Sequence, residues 1–138
     1  MVLAMLGFIA AATVLFSLGF LQNANLHTEE SNLVSLLKRV RSDSMNNIGG
    51  VVHGIALDPR GIPEYVLFSG NSYVQANAAT FESIPRASNY SFATTSLREI
   101  VFSQLSGAIA QEGSITLIDT NQPAASTTIF VNYEGTLY

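Results

Sequence analysis

The sequence predicts an α+β protein in which one long N-terminal helix, membrane-spanning in its first half, packs on a small antiparallel β-sheet. Three observations carry this expectation. Met1 to Leu21, MVLAMLGFIAAATVLFSLGFL, holds no charged residue, and the first charge in the chain is Glu29. From Leu26 to Met45 apolar residues recur at helical spacing without a Pro or Gly. After Gly49-Gly50 the apolar period drops to two, the period of strands. Residues 1–24 therefore read as a transmembrane helix, 25–47 as its amphipathic continuation, and 48–138 as a β-sheet domain.

The first segment has the length and composition that lipid requires. A 21-residue helix is about 31 Å long, close to the thickness of a bilayer's hydrocarbon core. Eleven of its residues are Val, Leu, Ile or Phe, which together favour insertion by about 3 to 7 kcal/mol, with no ionised side chain opposing them. A core helix of a soluble protein rarely stays apolar on every face for this long. A cleaved secretory signal fits less well. Nothing basic precedes the apolar run, and Leu21-Gln22-Asn23-Ala24 places Gln where a signal peptidase needs a small residue. Within the span Gly7 and Ala11 lie four apart, a spacing that lets a second helix approach closely in lipid.

The amphipathic half carries Leu26, Leu33, Leu36, Leu37 and Val40 on one stripe, with Glu29, Glu30, Lys38, Arg39, Ser42 and Asp43 on other faces. Leu33, Leu36, Leu37 and Val40 are the residues expected to pack the helix against the sheet. The helix should stop at Asn46-Asn47-Ile48-Gly49-Gly50, where Asn or Gly can take the left-handed cap conformation.

Val51 to Leu57 then reads as a strand, Asp58-Pro59-Arg60-Gly61 as a type I turn, and Glu64 to Phe68 as the returning strand. Ser72 to Gln75 is expected to continue it briefly. Asn77 to Thr95, polar and interrupted by Pro85, reads mainly as loop with one edge strand near Tyr90. Glu99 to Phe102, Ser114 to Ile118 and Thr127 to Tyr133 complete the strands. Tyr65, Phe68, Phe102 and Phe130 fall in these strand patterns and are expected in the core.

Composition excludes several kinds of chemistry. The chain has no cysteine, which removes disulfide scaffolds, thiolate metal sites and thiol catalysis. Net charge is −4. Residues 48–138 set Arg60, Arg86 and Arg98 against seven acidic residues, so no basic stripe tracks a phosphate backbone and no nucleic-acid partner is expected. His27 sits at the expected membrane boundary, and His53 lies on a strand with no acidic or His partner at ligand spacing, so both read as lone histidines. Glu29-Glu30 reads as a solvated helix turn, with pairing to cationic groups of a neighbouring subunit as the alternative. No spaced Ser, His and Asp motif appears, and Gly49-Gly50 with Gly54 lacks the lysine and spacing of a phosphate loop. No catalytic residue, metal, cofactor or small-molecule substrate is expected.

The layout resembles that of type IV pilin-like proteins. Val2-Leu3-Ala4-Met5-Leu6-Gly7-Phe8-Ile9-Ala10-Ala11 is similar to the later part of the family's hydrophobic signature, which runs like GFTLIELLVVIAIIGILAA. Leu36 to Met45, LLKRVRSDSM, resembles the helix end of the GspH/FimT group, where an Arg-Ser-Glu-Ala pattern is common and Arg41-Ser42-Asp43-Ser44 stands here. Val101-Phe102-Ser103-Gln104-Leu105-Ser106-Gly107, then Gly113-Ser114-Ile115-Thr116-Leu117, then Ile129-Phe130-Val131-Asn132-Tyr133-Glu134-Gly135 are similar in order to that group's later strands. The resemblance implies a minor pseudopilin or pilin of a type II secretion pseudopilus or a type IV pilus. Its partners would be other such subunits and the inner-membrane assembly platform. The subunit would wait as a single-pass protein of the bacterial cytoplasmic membrane, its domain on the periplasmic or extracellular side. A major pilin, or a membrane-tethered binding module or enzyme, is the alternative.

One departure carries its own expectation. The family's leader peptide, its cleavage-site glycine and the early glutamate of the mature chain have no counterpart, and the signature enters at its middle. Lys38, Arg39 and Arg41 also follow the span with no basic residue before it, a bias that alone would place the domain in the cytoplasm. A basic leader encoded upstream of Met1 would resolve both.

Overall fold

The computed structural model describes the backbone of residues 2–138 and the side chains of residues 24–138. The first element, α1 (Val2–Met45), is a single 44-residue helix. The side chains of the expected span, Gly7 and Ala11 included, lie outside the described residues, among which no helix is long and apolar enough to cross a membrane. The helix ends where the sequence places its stop. Asn46 N–H still donates to the Ser42 carbonyl at 2.8 Å, and Asn47 (φ 55°) and Gly49 (φ 67°) then turn the chain through the left-handed region.

Seven strands follow: β1 (His53–Leu57), β2 (Glu64–Ser69), β3 (Glu82–Pro85), β4 (Tyr90–Phe92), β5 (Glu99–Phe102), β6 (Gly113–Asp119) and β7 (Ser126–Val131). They form two antiparallel sheets, where the sequence suggested one. The first has order β3-β2-β1-β5 and the second β4-β6-β7. The chain changes sheet after β3, again after β4 and finally after β5. Phe102 makes one bridge to Ile109, and Leu97 N–H donates to the Ser114 carbonyl at 2.9 Å, so the sheets touch at a corner without sharing a ladder.

The core lies between α1 and these sheets. Leu33, Leu37 and Val40 are buried among Ile55, Leu57, Tyr65, Phe102, Ile115, Leu117 and Val131, and Leu36 is half-buried against the same cluster. Burying each such aliphatic side chain contributes about 1.5–3 kcal/mol. Two polar clamps fix how the helix lies on the first sheet. The buried Ser44 Oγ accepts from His53 N–H at 2.8 Å, which sets the C-terminal end of α1 beside the start of β1. Fifteen residues earlier in α1, Glu29 Oε1 accepts from the Tyr65 hydroxyl at 2.7 Å, beside the other end of the hairpin, where Tyr65 faces Leu57. The β1–β2 turn therefore points toward the N-terminal half of α1. Gly54 is required in β1 because a Cβ there would strike the Phe68 ring and stand 2.9 Å from the Ile100 carbonyl.

Four local expectations are corrected. The turn at Asp58–Gly61 is not type I: Arg60 has φ 62°, the sign that a type II turn demands at its third position. Ser72–Gln75 does not prolong β2 but curls, with Ala76 N–H donating to the Ser72 carbonyl at 2.9 Å. The stretch 77–95 contains β3 as well as β4; β3 is an edge strand, solvated along most of its length, so it shows no apolar alternation. Phe130 is 48% exposed, because it sits on the outer face of β7 and stacks on Tyr138 at 5.8 Å.

Candidate functional site

The helix stripe that packs on the sheets is not available to a partner, since its own domain covers Leu33, Leu37 and Val40. What α1 leaves exposed over the domain is polar up to its last residue, Met45: Ser31, Asn32, Ser35, Lys38, Arg39 and Ser42. Arg39 meets Glu82 of β3 in a two-pronged pair at 2.8 Å. That hydrogen bonding raises the arginine's pKa above its ordinary value and holds the carboxyl below its own. Both side chains are about half exposed, and such pairs contribute about 0–1 kcal/mol.

An open groove of about 810 Å³ lies at the end of the first sheet toward which the β1–β2 turn points. Asp58, Arg60, Tyr73, Arg86, Arg98 and Glu99 give it its character. Arg86 is buried, and its guanidinium grips both Asp58 oxygens, with Nη2 at 2.9 and 2.7 Å, while Nη1 donates to the Ala87 and Tyr90 carbonyls. The same guanidinium lies 5.1 Å from the centroid of Phe92, and Arg98 lies 5.6 Å from that ring. Arg98 is exposed and makes no ion pair with a described residue. Arg60 is also exposed, 3.7 Å from Glu64.

This arrangement suits the holding of charge better than acid–base chemistry. Both Asp58 oxygens are held by Arg86, and Glu99 Oε1 accepts from Tyr73 N–H at 2.9 Å, so no carboxylate of the groove is held by a second acid or base as a proton-transfer pair would be. The most perturbed group of the domain, Tyr65, lies elsewhere and has a structural cause. Burial, and then the hydrogen bond to Glu29, push its hydroxyl well above the ordinary phenol range.

The other residues singled out in the sequence are dispersed. His27 pairs with Glu30 at 3.0 Å on the exposed helix. His53 has one ring nitrogen 2.9 Å from the Ile48 carbonyl and the other 3.2 Å from Ser69 Oγ, which makes it a brace between the helix stop and β2. Glu29 is not a solvated turn residue, since it accepts from Tyr65. No three His, Cys, Asp or Glu side chains gather as a metal cage among the described residues. Sequence reasoning missed the groove. Its three arginines are scattered in the chain, and only the turn chemistry of Asp58-Pro59-Arg60-Gly61 marks one wall of it in advance.

No protein-family model matches the chain, and no curated protein sequence matches it. Its fold does have counterparts of known structure. A crystal structure of the type IV minor pilin FimU from Pseudomonas aeruginosa PAO1 superposes with a TM-score of 0.66 at 14% identity, over 86% of this chain and 90% of that one. A second crystal form of FimU gives 0.63 at 12% identity, over 82% and 90%. The chain thus has a pilin-like α+β fold, one helix packed on antiparallel sheets.

Proposed function

We propose that this chain is a structural subunit of a type IV pilus or a type II secretion pseudopilus, a minor pilin or pseudopilin of the GspH/FimT kind, which assembles through its N-terminal helix. The observation that carries the reading is that α1 serves two tasks. From Leu26 onward it supplies the core of the β domain. Its first 24 residues continue the same helix and are uncharged in sequence. The likeness of the whole fold to FimU supports the same reading. Before assembly the apolar half anchors the subunit in the cytoplasmic membrane, with the domain on the periplasmic or extracellular side. On assembly the anchors leave lipid for one another, and the small residues Gly7 and Ala11 allow close helix contact. Neighbouring subunits and the inner-membrane assembly platform are the partners, and the subunit performs no covalent chemistry.

The absence of cysteine makes a direct test simple. Ala11→Cys, expressed with the assembly machinery, should form disulfide-linked species with neighbouring helices carrying a cysteine at the matching depth and should appear in sheared filaments. Gly7→Leu should lower recovery in filaments while leaving the melting of the domain unchanged. A chain that stays in the membrane, never enters filaments and forms no cross-link at Ala11→Cys would overturn the reading.

A further inference from the structure

The three arginines of residues 48–138 are far apart in sequence, yet all line one groove, in a segment that is otherwise net acidic. That groove is at a particular end of the molecule. The Glu29–Tyr65 clamp ties the start of β2 to Glu29, and the Ser44–His53 clamp ties the opposite end of the hairpin to the end of α1. Counted down the helix, residue 24 lies about 8 Å beyond Glu29. The β1–β2 turn, two to three residues out from the Leu57–Tyr65 pair, reaches about 7–10 Å in the same direction. The tip of that turn carries Arg60 and the exposed Ile62, and Val74 stands exposed on the groove's other wall. A cation beside an exposed aliphatic residue, on the side of the domain that faces the apolar anchor, matches the chemistry of a membrane interface.

We propose that the β1–β2 turn and the groove behind it form a membrane-surface contact, in which Arg60 and Arg98 hold phosphates of anionic lipid headgroups and Ile62 rests at the upper edge of the acyl region. The inference rests on the membrane-anchored reading above. Arg86, locked to Asp58, does not bind lipid; it braces the turn and, through Phe92, the platform on which Arg98 lies. Tethering is what makes two arginines sufficient. The anchor holds the groove permanently at the surface, so a headgroup contact far too weak for recruitment from solution is occupied in the anchored chain. The contact would hold the waiting domain down on the bilayer in one orientation and would be lost when the subunit is withdrawn into a filament.

The test uses the full chain reconstituted in vesicles of phosphatidylcholine, or of phosphatidylcholine mixed equally with phosphatidylglycerol. A single cysteine, Ile62→Cys, carries an environment-sensitive fluorophore. Tyr133→Cys, beside the C-terminal end of α1, serves as the distant control. The label at 62 should shift to the blue and be protected several-fold from iodide only when phosphatidylglycerol is present. Arg60→Gln with Arg98→Gln should abolish that protection, while the label at 133 stays unchanged throughout. Equal emission and quenching at 62 in both kinds of vesicle, with the chain resisting a carbonate wash, would overturn the lipid contact and leave the anchor intact. Removal of the chain by carbonate would overturn both. Inorganic phosphate added to phosphatidylcholine vesicles should change nothing; protection under that condition would assign the groove to a soluble anion and overturn the lipid contact.

Discussion

The Tyr65 hydroxyl, buried at the start of β2, donates a 2.7 Å hydrogen bond to Glu29 Oε1 on α1. It joins residues 36 positions apart and ties the helix to the start of β2. Tyr65→Phe keeps the ring and removes the donor, so it should cost about 1–2 kcal/mol, part of which is regained as half-buried Glu29 meets water. Urea denaturation with an unchanged m-value would measure it.

The same pair gives a pH dependence with a defined sign. Burial and Glu29 raise the folded pKa of Tyr65 above its unfolded value of about 10. The folded state therefore keeps a proton that the unfolded state loses as pH rises past 10. Stability from this group is full below pH 10 and falls above it by about 1.4 kcal/mol per pH unit. Tyr65→Phe should show a correspondingly shallower alkaline decline, and identical declines in both proteins would refute the assignment.

Arg86→Met should be among the most damaging substitutions in the β domain. It leaves Asp58, with 16% side-chain exposure, without its bidentate partner, and breaking a buried pair from one side costs about 3–5 kcal/mol. Adding Asp58→Asn to Arg86→Met should recover part of the loss by removing the stranded charge. Denaturation midpoints of the single and double variants decide the matter.

Leu37 is fully buried where α1 meets the sheets. Leu37→Ala should cost about 2–5 kcal/mol, and Leu37→Asp should abolish the folding transition of the domain, because it would put a charge into an apolar cluster. A Leu37→Asp variant that melts like the wild type would mean that α1 presents a different face.

No salt-sensitive binding of duplex DNA is expected at physiological salt. The arginines of residues 48–138 converge on one groove, but Arg86 is already neutralised there and the surrounding domain is net acidic. Anisotropy titration of a labelled duplex is the measurement, and micromolar binding that weakens with salt would contradict it.

The elements easiest to read in advance were those with one buried face. The stop of α1 at Asn46–Gly50 and strands β1, β2, β5, β6 and β7 were legible because their apolar residues recur with a clear period and their ends carry Gly, Asn or Pro. β3 was not, because an edge strand solvated along most of its length leaves no alternation to detect. The division into two sheets was hidden for another reason: β4 pairs with β6 and β5 with β1, so the strands alternate between sheets, and no local signal marks those crossings. The groove was invisible because Arg60, Arg86 and Arg98 become neighbours only through the β1–β2 turn, the segment after β3 and the start of β5. Ser44 and Glu29 looked like ordinary helix-surface residues, yet each anchors a strand.

Arg41 gives the fold a consequence for its biosynthesis. Near the end of α1, its Nε donates to the Gly107 carbonyl at 3.2 Å and its Nη2 to the Glu134 carbonyl at 2.9 Å, spanning 66 and 93 positions of chain. Gly135, with φ 72°, crosses so close to the Gly107 carbonyl that no side chain fits between them. A nascent chain emerging N-terminus first exposes Arg41 long before the two carbonyls it binds exist. The corner therefore locks only after Glu134 and Gly135 have been made, and a polypeptide interrupted just before them has every strand of the domain yet leaves the end of its helix unfastened.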